Sequence, residues 1–135
     1  MAAASNSDIV VLLAEDEPVV RNMLRAIIQA EGYSFLVAAN GEEALALSRA
    51  YPAEIDLLLT DVKMPKMNGL DLSKEIVHER ACIKILVISG GASDEIRKAN
   101  IRLPFLKKPF MAAAFITKIH EVLAGPPAQS YSSPE

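Results

Sequence analysis

Five polar residues close or directly follow apolar runs in this chain. Glu15 and Asp16 come after IVVLLA (9–14), Asp61 after IDLLLT (55–60), Ser89 closes KILVIS (84–89), and Lys108 comes after FLK (105–107). Brought together, they would supply three carboxylates, one hydroxyl and one ammonium. Clustered carboxylates repel one another, and a divalent cation offsets that repulsion. Hard oxygen donors of this kind suit Mg²⁺, which takes one or two carboxylates and keeps waters for other ligands. With a lysine beside the cation, a transferring phosphoryl group has its equatorial oxygens neutralised, and a carboxylate that attacks phosphorus gives an acyl phosphate. Gly90 and Gly91 after Ser89 let backbone approach a phosphate closely. Taken singly, each residue has an ordinary reading. Asp16 or Ser89 would cap a helix, Asp61 would open a turn, and Lys108 would be solvated.

Whether the five meet depends on the elements that carry them. The three longer apolar runs are too short for most helices and rich in β-branched residues, so they read as strands. SFLVA (34–38) and FLK (105–107) are shorter candidates. Helical patterns fill the intervals. Over 18–31, Val19, Val20, Met23, Leu24, Ile27 and Ile28 recur at helical spacing; Pro18 suits a first helical position and Gly32 a stop. Asn40 is placed to cap a second helix reaching Tyr51, with Glu43 set for a capping box. A third helix spans 69–80, a short fourth 93–100, and a fifth 111–124, striped by Phe115, Ile116, Ile119, Val122 and Leu123. Strands alternating with helices make βαβ units and a parallel sheet covered on both faces. In such sheets ligands bind beyond the carboxyl ends of the strands, where these five residues fall.

Composition narrows the class. The chain has 135 residues, 51% of them apolar, and a net charge of −3, which gives one cored domain without a nucleic-acid footprint. Cys82 stands alone, which excludes an intrachain disulfide. No signal-peptide pattern opens the chain and no apolar run is long enough to span a bilayer, so the expected location is cytoplasmic, with no membrane partner. His78 and His120 lie on helices away from the strand ends, so a phosphorylated histidine would have to come from a partner. Residues 1–7 and the Pro- and Ser-rich 125–135 are expected to be flexible, the latter as a tail or the start of a linker, around a domain over 8–124.

The segments VLLAEDEPVVR, GYSFLVAANGEEAL, DLLLTDVKMPKMNGLDL, ILVISGG and FLKKPF, in this order, resemble the response-regulator receiver domains of two-component signalling. The resemblance runs from about Ile9 to Leu123. It implies a flavodoxin-like (βα)5 fold with a five-stranded parallel sheet in order 2-1-3-4-5. It also implies that Asp61 is the phosphoacceptor and that Mg²⁺ is held by Asp16, Asp61, the backbone carbonyl of Lys63 and, through water, Glu15. Lys108 would contact the phosphoryl group, Ser89 would turn toward it, Phe105 would be the switch aromatic, and Lys108–Pro109 would be a cis peptide. The implied partners are a sensor histidine kinase or histidine phosphotransfer protein and a downstream target. The target would bind on the face made by 93–100, 105–107 and 111–124, and phosphorylation would also favour a homodimer. Glu15 stands where aspartate is more frequent in the family, and Ser89 where threonine is. The interval from Ser89 to Lys108 is short, which implies a short or tilted helix over 93–100. The Lys63 ammonium stands near the site mouth, with an ordinary solvated lysine as the alternative.

Three rivals share parts of the pattern. A phosphatase or mutase working through an aspartyl phosphate wants a second acid two residues after the nucleophile, and Lys63 stands there. A nucleotide- or flavin-binding module wants a Gly-rich loop after the first strand, where EDEP would repel phosphate. A receiver that only docks would not need all five site positions filled. The expected activity is therefore a phosphorylation switch with no separate substrate turnover.

Overall fold

The computed structural model describes residues 8–90 and 103–131. The elements are β1 (Val10–Ala14), α1 (Pro18–Ala30), β2 (Ser34–Ala38), α2 (Gly41–Ala50), β3 (Leu57–Asp61), α3 (Gly69–Glu79), β4 (Lys84–Ser89), β5 (Phe105–Lys107) and α4 (Ala112–Ala124). A 3-10 turn follows at Ala128–Tyr131. The expected helix over 93–100 lies outside the described residues.

All strand pairs are parallel, and the sheet order is β2-β1-β3-β4-β5. Alternate side chains of the strands feed two cores. Val11, Leu13, Leu57, Leu59, Leu86 and Ile88 pack with Leu24 and Ile28 of α1 and Phe115, Ile119 and Val122 of α4. Val10, Leu12, Leu58, Ile85 and Val87 face the other way, against Ala44 and Leu45 of α2 and Leu70, Leu72 and Ile76 of α3. This is why β1, β3 and β4 read as continuous apolar runs: both faces are covered. At the apolar edges of the α1 stripe Val19 is exposed, as is Met23.

Local chemistry sets the element ends. The Asn40 side chain accepts from Glu43 N–H at 2.8 Å while Glu43 Oε1 accepts from Ala39 N–H at 2.7 Å, a reciprocal cap on α2. Gly32 follows α1 at φ 88°, a conformation glycine takes without steric cost. Arg80 closes the far end of α2: its guanidinium donates to the carbonyls of Ser48, Tyr51 and Ala53 and to the Ser48 hydroxyl. Asp56, expected inside the third strand, precedes it and holds Val10 through both its N–H and its Oδ2. Just past Gly125, over 126–131, the chain is less loose than its composition suggests. Ala128 is buried and its N–H donates to the Ile83 carbonyl at 2.8 Å.

Candidate functional site

The strand order reverses direction between β1 and β3, since the chain moves from β1 out to β2 and then back across β1 to β3. A crevice opens at such a point beyond the carboxyl ends of the strands. The register puts the candidate residues level there. Ala14 pairs with Thr60, so Glu15 comes level with Asp61; Asp61 pairs with Ile88, and Ser89 with Lys107. Residues scattered over most of the chain are thereby gathered on one rim.

Lys108 joins two strands across that rim. Its Nζ donates to Asp61 Oδ2 at 2.7 Å and to Glu15 Oε1 at 3.3 Å. The other Asp61 oxygen accepts the Val62 N–H at 2.7 Å, which fixes the carboxylate plane. Lys108 is aimed by its own backbone, whose N–H donates to the Ser89 carbonyl, and the Lys108–Pro109 peptide is cis. Thr60, buried beneath, donates its hydroxyl to the Asp61 carbonyl at 2.9 Å.

One ligating oxygen each from Glu15, Asp16 and Asp61 lies within 4.8 Å of the others. Glu15 is fully buried and Asp61 nearly so, while Asp16 is partly exposed. Burial pushes the Glu15 carboxyl up to about 7; the Glu17 N–H on Oε2 opposes the rise, the Asp61 charge adds to it, and Lys108 opposes it. Burial works against the Lys108 charge, but the bonds and charges of Asp61 and Glu15 outweigh it and raise its pKa. One ammonium therefore does not fully offset the carboxylates, and the oxygen donors fit a divalent cation.

For Asp16 and Lys108 the ordinary readings do not hold. α1 is capped at Glu17 with no side-chain hydrogen bond, so Asp16 is not its cap. Lys108 is held by two carboxylates, and its side chain is 22% exposed. Ser89 is buried at the end of β4. Phe105 lies on the edge strand β5, 41% exposed. Lys63 is exposed in the loop after β3, where it lines a cleft of about 410 Å³ with Val62, Met64, Asn68 and Leu70. His78 and His120 are on α3 and α4; His120 Nε2 lies 3.2 Å from Glu31 Oε1 at the surface. No helix among the described residues is long and apolar enough to cross a membrane.

One contributor escaped the sequence reading. The Arg21 guanidinium donates to the backbone carbonyls of Glu15 and Asp16. From sequence, Arg21 stands one helical turn after Glu17 and reads as half of a surface ion pair. The better signal was its position in the first turns of α1, from which a long side chain reaches back over the loop that precedes the helix.

Known proteins agree with this geometry. The family model of the response regulator receiver domain matches residues 11–120. Sensor kinase CckA of Brucella abortus is 36% identical over 84% of this chain, which spans 12% of that protein. The transcriptional regulatory protein CpxR of Klebsiella pneumoniae is 34% identical over 84% of the chain, which spans 48% of its length. The crystal structure of the receiver domain from hybrid histidine kinase CckA superposes with a TM-score of 0.72 at 32% identity, covering 84% of this chain and 98% of that one. Sheet order, matched length and rim chemistry lead to the same place: the chain belongs to the response regulator receiver domain family.

Proposed function

We propose that Asp61 accepts a phosphoryl group from the phosphohistidine of a sensor histidine kinase or histidine phosphotransfer protein, and that the product changes what the domain binds. One observation carries this reading: Lys108 is bonded at once to Asp61 and Glu15, with Asp16 in the same cluster. Asp61 Oδ2 faces the ammonium that would neutralise an incoming phosphoryl group, and Oδ1 is held by backbone so that the carboxylate keeps its orientation. An Asp61 oxygen attacks phosphorus, the P–N bond to the donor imidazole breaks, and its electron pair stays on the imidazole nitrogen, which takes up a proton. Lys108 shifts from carboxylate to phosphoryl oxygen as charge develops there.

Glu15, Asp16, Asp61 and the Lys63 carbonyl would hold Mg²⁺, which when bound supplies Lewis-acid neutralisation of the phosphoryl oxygens. Ser89, buried at the rim, would donate its hydroxyl to the product, and Phe105, exposed on β5, would move into the space that hydroxyl leaves. This biases a two-state equilibrium rather than building a new fold. A downstream target or a second copy would read the change on the face that includes β5 and α4. Lys63 in place of a second acid supports a switch without separate substrate turnover, and a cytoplasmic location goes with a phosphohistidine donor.

Incubation with acetyl phosphate and Mg²⁺ tests the reading. Intact mass is expected to increase by one phosphoryl group in the wild type and not in Asp61→Asn. An Asp61→Asn chain that still takes up the group would refute the assignment, and sustained turnover of unrelated phosphomonoesters would favour an enzyme.

A further inference from the structure

We propose that Arg21 is a positioning residue for the acidic loop, fixing the Glu15 and Asp16 carboxylates where they share a cation with Asp61. The inference rests on the metal site proposed above. Arg21 Nη1 donates to the Glu15 carbonyl at 3.0 Å and to the Asp16 carbonyl at 3.4 Å. A guanidinium lying on the loop that carries Glu15 and Asp16 would gain Coulomb energy by pairing with a carboxylate. Among the described residues its side chain bonds instead to these two backbone carbonyls, and it occupies none of the carboxylate oxygens.

The rest of the loop explains why a clamp is needed at this point. The Glu15 N–H is held by the Ala38 carbonyl at 3.1 Å, and Glu15 Oε2 accepts the Glu17 N–H at 3.1 Å. The Glu15 and Asp16 carbonyls are past the end of β1 and before the first helical bond, so neither sheet nor helix restrains them. Among the described residues the Asp16 side chain makes no hydrogen bond, so its direction depends on how its backbone is held. Arg21 supplies that restraint from α1, whose place is fixed by Leu24 and Ile28 in the core.

Positioning and charge act with opposite signs. If Arg21 acted only as a nearby cation it would repel a divalent metal, and its removal would tighten binding. If it positions the ligands, removal loosens binding. Mg²⁺ is titrated into the full chain by calorimetry for the wild type, Arg21→Ala and Arg21→Lys, with circular dichroism as the fold control. The expected result is a Kd raised about ten-fold or more in Arg21→Ala, the usual size for losing an outer support of a ligand. Arg21→Lys, which keeps the charge but not the fork, is expected between the two. Acetyl phosphate labelling of Arg21→Ala is expected to recover toward the wild-type rate as Mg²⁺ is raised. An unchanged or tighter Kd in folded Arg21→Ala overturns the proposal. Should Arg21→Ala fail to fold, Arg21→Lys decides: a Kd within about two-fold of wild type overturns it. A wild type that takes no Mg²⁺ instead overturns the metal site itself.

Discussion

Asp61 uses both carboxylate oxygens, one on the Val62 amide and one on Lys108, while Glu15 shares the same lysine from a fully buried position. The buried Glu15 makes the metal-free protein pH-sensitive in a definite direction. Its folded pKa, about 7, is above the ordinary value of 4.5. A raised carboxyl contributes stability that is full below the unfolded pKa and is lost as pH rises through the folded one. In chelator, the denaturation midpoint is expected to fall between pH 5 and pH 8, and Glu15→Gln is expected to flatten that fall. Mg²⁺ should restore the midpoint at pH 8 by pairing with the ionised form; a midpoint that rises with pH in chelator would contradict this. The residue types and their strand-end positions were legible in the sequence. The difference between buried Glu15 and partly exposed Asp16 was not, because neighbours on a turn share the same pattern. Arg21 was hidden for a related reason: its partners are backbone atoms, which carry no sequence signal.

The junction of β3 and α3 ties the phosphoacceptor strand to a helix through a close approach. A Cβ on Gly69 would lie 1.9 Å from the Asp61 carbonyl oxygen and 2.9 Å from Thr60 Oγ1. The Gly69 N–H also donates to the Val62 carbonyl at 2.8 Å, so α3 starts directly on the end of β3. Gly69→Ala must push the Asp61 backbone or the helix aside, at about 1–3 kcal/mol for overpacking a tight site. Denaturant unfolding should register that loss, and acetyl phosphate labelling should slow with it because Asp61 moves. A variant of wild-type stability and labelling rate would mean that the approach is relieved at no cost. The strands were the most readable elements: even 34–38 and 105–107, edge strands that are only partly buried, are observed as expected. The third began late because Asp56 spends its polar groups on Val10. The Arg80 clamp on α2 was not readable, since its partners stand about thirty positions earlier and no local pattern joins them.

The assembled fold separates its two ends: the strand carboxyl ends carry the charged rim, and the opposite edge is closed by backbone contacts. There Ala128 is buried against Ile83, just before β4, so the segment after α4 returns beneath the sheet. Composition alone made 125–135 a loose tail, because one small buried residue among Pro and Ser leaves no periodic signal. Deleting residues 126–135 is expected to lower stability by about 1 kcal/mol, the net worth of a backbone hydrogen bond with a little burial. Labelling by acetyl phosphate should be unaffected, being at the other edge; slowed labelling at unchanged stability would show that the two edges communicate. The parallel sheet was legible from alternation alone, and its order followed from the resemblance rather than from any property of the strands. What joins the two cores to function is the rim, and its central residue can be identified chemically. Treating the phosphodonor-exposed protein with borohydride reduces an aspartyl phosphate to homoserine, which peptide mass spectrometry locates. Homoserine is expected at position 61, only after phosphodonor and Mg²⁺; homoserine at another acidic position, or none in a chain that has gained a phosphoryl group, would contradict Asp61 as the acceptor.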